Sequence, residues 1–213
     1  MTGNRFYVNE ESPWLKPESG WPDEVPHQFQ TDERSLYEVL SDSCKDYADR
    51  RVIWFEPLNT EITYRELKLA VDRFASGLYQ HNIRKGDTVA LMLPNSPQYI
   101  TAYYACHCIG AAVTGINPLY KPQEVLHQLK TTKAKALIVL DMLYESQVSS
   151  IWDKSGVELL VTTNIVDMIK GNHLKKLLGK LLGKIPQGSV PASSRYFNSL
   201  LSTKESLPKI SID

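Results

Sequence analysis

Apolar residues recur with two periods along this chain, and the exchange between them organises residues 35–170. Leu67, Val71, Phe74 and Leu78 follow at steps of four, three and four, which gathers them on one face of a helix. Thr63, three residues before Glu66, forms a capping box ahead of that stripe, so a helix is predicted from there to near Asn82. The next segment, 88–93, is apolar at five consecutive positions from Val89, as suits a parallel strand covered on both faces. Pro94-Asn95-Ser96-Pro97 then ends the strand and opens a helix over 98–109, with Ser96 as cap and Gly110 as terminator. The same unit returns three times. Segment 111–116 leads through Asn117-Pro118 to a helix from Pro122, 136–140 leads to a helix over 142–152, and 157–161 leads to a segment from Asn164. Upstream, Ser35 caps a predicted helix over 36–47 with Leu36, Val39 and Leu40 on one face, followed by short strands at 52–55 and 61–62 around a turn at 57–59.

Four strands separated by helices of about a dozen residues predict an α/β fold, a parallel sheet with helices on both faces. An irregular arm precedes it over 1–34, where Pro13, Pro17, Pro22 and Pro26 alternate with Trp14 and Trp21, the tryptophans expected to anchor it. The α/β unit is expected over 35–170. A basic amphipathic segment and connector follow over 171–213, with residues 186–208 read as Ser/Pro-rich connector.

Composition narrows the partners. Lys plus Arg is 24 and Asp plus Glu is 24, so no global field draws nucleic acid or an anionic surface, and no nucleic-acid partner is expected. Residues 1–14 lack the apolar stretch of a signal peptide, and no run approaches the roughly 18 apolar residues of a membrane span. Cys44, Cys106 and Cys108 are an odd set with no secretory signal, read as free buried thiols in a reducing cytoplasm.

Three local patterns invite chemistry. Cys106-His107-Cys108 cannot converge on one ion from successive helical positions, so core packing is expected there. Gly179-Lys180-Leu181-Leu182-Gly183-Lys184 is one residue short of a phosphate loop and is followed by Ile185 in place of Ser or Thr. Leu174, Leu177, Leu178, Leu181, Leu182 and Ile185 form an apolar stripe opposed by Lys176, Lys180 and Lys184. Such a helix either packs on its own domain or touches lipid headgroups, the second giving peripheral membrane contact through Leu174, Lys176, Leu178, Lys180, Leu181 and Lys184. His27, His81, His127 and His173 have no acidic or cysteine constellation, so no general base is named. Thr63, Tyr64, Glu66, Gly86, Asn95 and Asn117 read as caps, turns and strand ends. No catalytic, cofactor-binding or metal-ligating residue is assigned.

Four motifs in order carry a family resemblance. Ile62-Thr63-Tyr64-Arg65-Glu66-Leu67 resembles the first core motif of adenylate-forming enzymes. Lys85-Gly86-Asp87-Thr88-Val89-Ala90 with Leu93-Pro94-Asn95-Ser96 resembles a later segment of the same family. Ile109-Gly110-Ala111-Ala112-Val113 with Asn117-Pro118-Leu119-Tyr120 resembles the second core motif, and residues 124–129 the helix after it. Pro13-Trp14-Leu15, Val25-Pro26-His27 and Asn117-Pro118-Leu119-Tyr120 are most similar to long-chain fatty acid–CoA ligases. The resemblance implies an enzyme that uses ATP, Mg and CoA to convert a fatty acid through an acyl-adenylate into acyl-CoA. It also implies that the phosphate-binding loop, the Mg-linked acidic residues and the catalytic lysine follow residue 213. The expectation is therefore a fragment, inactive alone, holding none of these cofactors itself and partnered by the remainder of the ligase or another subunit. A fragment of an aryl-CoA ligase or other adenylate-forming enzyme, and a non-catalytic docking or membrane-associated module, are the competing readings.

Overall fold

The structure, a computed structural model, describes residues 34–169 and 185–203, together with residues 13, 16, 20, 22, 24, 25, 182 and 207. The chain divides into two compact units, Met1–Arg34 and Ser35–Asp213. The expected anchoring by Trp14 and Trp21 and nearly all of the phosphate-loop-like run and of the stripe at 174–185 lie outside the described residues.

The second unit opens with α1 (Leu36–Asp46), where Ser35 and Glu38 form a reciprocal capping box. The hairpin β1 (Arg51–Phe55) and β2 (Thr60–Thr63) pairs antiparallel as a separate two-stranded sheet. Helix α2 (Tyr64–Gln80) starts at the predicted box: Thr63 Oγ1 accepts from Glu66 N at 3.3 Å, and Glu66 Oε2 accepts from Thr63 N at 2.9 Å. Then come β3 (Thr88–Met92), α3 (Pro97–Cys108), β4 (Ala112–Gly115), α4 (Pro122–Thr131), β5 (Ala134–Leu140), a broken helical segment over 141–155, β6 (Leu159–Thr163), β7 (Arg195–Tyr196) and α5 (Phe197–Leu201).

Strands β4-β3-β5-β6-β7 form one parallel sheet in that order. Strands β3, β5 and β6 alternate between two apolar cores, which is why their sequences are apolar nearly throughout. Val89, Leu91, Ala136, Ile138, Leu159 and Val161 face a core closed by α1, α2, α3 and α5. Ala90, Met92, Leu137, Val139 and Leu160 face the other, closed by Val125 and Leu129 of α4 and by Tyr144, Val148 and Ile151 of the broken segment. The predicted α/β fold with helices on both faces is the observed one.

Three local expectations are corrected. Helix α1 buries Leu40 and Cys44 with Tyr37 packed beside them, whereas Leu36 and Val39 are exposed. Its contact face against α2 and α3 follows 37/40/44 rather than 36/39/40. The helix expected over 142–152 breaks into an α-helical turn Asp141–Leu143, a π-helical turn Tyr144–Val148, a 3-10 turn Ser149–Ile151 and an α-helical turn Trp152–Ser155. Ser146 and Ser149 donate their hydroxyls to the carbonyls of Leu143 and Glu145, a local competition that bends helices. Residues 186–208, expected as connector, supply the fifth strand and a core helix. Phe197 is fully buried and stacks on Phe74 at 4.2 Å, and Leu200 lies so close to Gly77 that a Cβ there would sit 2.7 Å from Leu200 Cβ.

Candidate functional site at the carboxyl edge of the sheet

Because all five strands are parallel, their exits lie along one edge. From β3 the chain passes to β4 on one side and returns to β5 on the other, so the order reverses between β3 and β5. Open α/β sheets bind ligands in the crevice at such a point. The β3 exit is Leu93-Pro94-Asn95-Ser96, leading into α3. Ser96 Oγ accepts from Tyr99 N at 3.3 Å, Pro97 occupies the first turn, and Asn95 is exposed. At the β4 exit Asn117 Oδ1 accepts from Leu119 N at 3.0 Å, a turn that leaves Leu119 86% exposed. Asn95 and Asn117 thus occupy the turn and strand-end roles expected of them.

The exits of β5 and β6 are tied together by polar side chains. Asn164, only 3% exposed, donates Nδ2–H to Asp141 Oδ2 and to the Pro186 carbonyl, each at 2.8 Å. Its backbone N–H donates to Asp167 Oδ2 at 2.7 Å, and that carboxylate also accepts from the Thr163 hydroxyl at 3.0 Å. Gln98, fully buried on α3, donates Nε2–H to the Asn164 carbonyl at 2.9 Å and to the Ile165 carbonyl at 3.2 Å. Asp141 Oδ1 accepts from Met142 N at 2.7 Å. Gly188 lies directly on this exit: a Cβ there would fall 1.9 Å from the Asp141 carbonyl oxygen. The contacts that tie Gln98, Asp141, Asn164 and Pro186 together span 22 to 67 residues, so no local sequence signature marks them.

Elsewhere, the groove along α4 beside β4 has a volume near 490 Å³ and is lined by Tyr120, Gln123, Glu124, His127, Gln128 and Thr131, among others. Gln128 closes its floor, donating to Thr114 Oγ1 at 2.9 Å and to the Gly115 carbonyl at 2.8 Å. Where α1, α2 and α3 meet, Lys68 Nζ donates to Asp72 at 2.6 Å and to the Tyr37 hydroxyl at 2.9 Å, while Tyr37 donates to Asp72 at 2.7 Å. Burial, then the Asp72 hydrogen bond, pushes the Tyr37 phenol well above its ordinary range.

Cys106-His107-Cys108 separates in space as its helical positions require. The two thiols enter the core, and the His107 ring meets Tyr103 edge-on at 4.5 Å. Burial raises the Cys106 thiol and pushes Cys108 up to about 11, while it lowers His107. Among the described residues no group of three His, Cys, Asp or Glu side chains is arranged to hold a metal ion. At the carboxyl edge the polar side chains of Gln98, Asp141 and Asn164 are thus bonded to backbone and to one another, while Asn95 at the β3 exit and Leu119 after β4 are exposed.

Residues 40–187 match the family model for AMP-binding enzymes. The chain is 29% identical over 171 residues to the long-chain-fatty-acid–CoA ligase of Bacillus subtilis, a match covering 80% of this chain and 28% of that protein. It is 32% identical over 128 residues to the 4-coumarate–CoA ligase of Vanilla planifolia, covering 59% of this chain and 23% of that one. A long-chain-fatty-acid–CoA ligase structure from Archaeoglobus fulgidus shares its fold with a TM-score of 0.60 at 24% identity, over 78% of this chain and 33% of that one. The chain thus spans about a third or less of the length of the relatives it matches. With the family model covering more than two thirds of its residues, the chain belongs to the AMP-binding, or adenylate-forming, enzymes.

Proposed function

We propose that this chain forms one wall of the nucleotide and acyl clefts of an ATP-dependent fatty acyl-CoA ligase. The observation that carries this reading is the extent of the likeness to long-chain fatty acid–CoA ligases, 80% of the chain against 59% for the 4-coumarate enzyme. In such a ligase the fatty acid carboxylate attacks the α-phosphorus of ATP, pyrophosphate leaves, and the CoA thiol then displaces AMP from the acyl-adenylate. The described residues do not fit an Mg site, because Asp141 and Asp167 are engaged by neighbouring N–H and O–H donors, and no step is routed through them. Stabilising the transferring phosphate takes cationic and N–H groups converging on it. On this reading those groups come from the remainder of the ligase. Purified chain is expected to show no fatty-acid-dependent exchange of pyrophosphate into ATP, and exchange above a heat-killed control would overturn this division of labour.

A second reading concerns location. No helix among the described residues is long and apolar enough to cross a membrane. Leu182, within the amphipathic stripe, is 66% exposed, which favours peripheral contact of that segment with lipid. Co-sedimentation with anionic vesicles, weakened by salt and lost on changing Lys176, Lys180 and Lys184 together to Gln, is expected. Binding unchanged by the triple substitution would leave packing on the domain as the role of this stripe.

A further inference from the structure

We propose that Asn164 is the positioning residue of the carboxyl edge, latching the returning chain at Pro186 to the exits of β5 and β6 and so setting β7 and α5 on the sheet. Its side-chain amide spends one N–H on Asp141 and the other on the Pro186 carbonyl, and its Oδ1 accepts from Val166 N at 3.3 Å. Its backbone carbonyl receives Gln98. One buried residue thus joins the β5 exit and Pro186 through its side-chain amide, the turn after β6 through its Oδ1, and the start of α3 through its backbone carbonyl. Buried amide groups that lose a partner are costly, so the geometry is strongly specified. An independent contact marks the same place: the Gly188 backbone lies on the Asp141 carbonyl with no room for a side chain. Six residues after Gly188 the chain has reached Ser194 and enters β7. That strand pairs with β6 through only two residue pairs, Val161↔Arg195 and Thr162↔Tyr196. So short a strand needs a fixed point upstream, and the latch supplies it.

Hydrogen exchange read by mass spectrometry on the whole chain tests this. Asn164→Ala should lower protection of residues 195–201 by about tenfold or more while β3 and β5 keep theirs, because local opening separates from global unfolding. Asn164→Asp places a third carboxylate beside Asp141 and Asp167, the charged groups facing this position, and replaces the amide donors. Its loss of protection should be partly reversed at acid pH, where a shared proton restores a donor, and Asn164→Ala should show no such reversal. Gly188→Ala should open the same residues without touching Asn164. Protection of 195–201 unchanged in all three variants, or lost in step with β3 and β5 in Gly188→Ala, would overturn the proposal.

Discussion

His107 carries a local conflict, since its Nε2 is buried with no hydrogen-bond partner among the described residues, and burial lowers its basicity below the ordinary value of 6.5. His81 is lowered too, by burial first and then by Arg195. A folded state that holds imidazoles neutral binds fewer protons than the unfolded chain in the interval below 6.5. The stability contributed is therefore full above that pH and lost as pH falls through the depressed folded values. His107→Phe keeps a ring against Tyr103 and removes the titrating nitrogen. The urea midpoint of this variant should fall less steeply than the parent's from pH 6.5 to about 5, and parallel curves would contradict the assignment. Caps at this scale are legible in sequence because they span three residues, as with Thr63 and Glu66. Asn164 is not, because its partners at 98, 141 and 186 are brought to it only by the finished sheet.

Elements with a period long enough to measure were equally legible. The stripe of Leu67, Val71, Phe74 and Leu78 is buried as its spacing requires, and the unbroken apolar runs of β3 and β5 divide between two cores. β7 escaped because two exposed residues have no period at all, and α5 because five residues make barely one turn. Their place is secured by tertiary contact: Phe197 on Phe74, and Leu200 over Gly77. Phe197→Ala should therefore cost about 3–5 kcal/mol in urea unfolding, the range for deleting a buried aromatic ring. A change within about 0.5 kcal/mol, typical of exposed positions, would return this stretch to the status of a connector.

At the scale of the whole molecule, the chain is a doubly wound sheet whose carboxyl edge is tied by buried polar side chains, and it spans 28% of its Bacillus subtilis relative. Fold and family were both readable from motif order, because capping, turn and strand-end residues serve the scaffold and the scaffold is what the family shares. Substrate class was less legible, since only the arm at 13–15 and 25–27 and the segment 117–120 favour a fatty acid. The direct measurement is to replace the matching segment of the Bacillus subtilis ligase with this chain and assay pyrophosphate–ATP exchange with palmitate and with 4-coumarate. A chimera that folds by circular dichroism and exchanges with palmitate at least about tenfold above 4-coumarate, a difference of roughly 1.4 kcal/mol in transition-state stabilisation, is the predicted result. A folded chimera that exchanges with neither acid, or that prefers 4-coumarate, would contradict the fatty acyl-CoA ligase assignment.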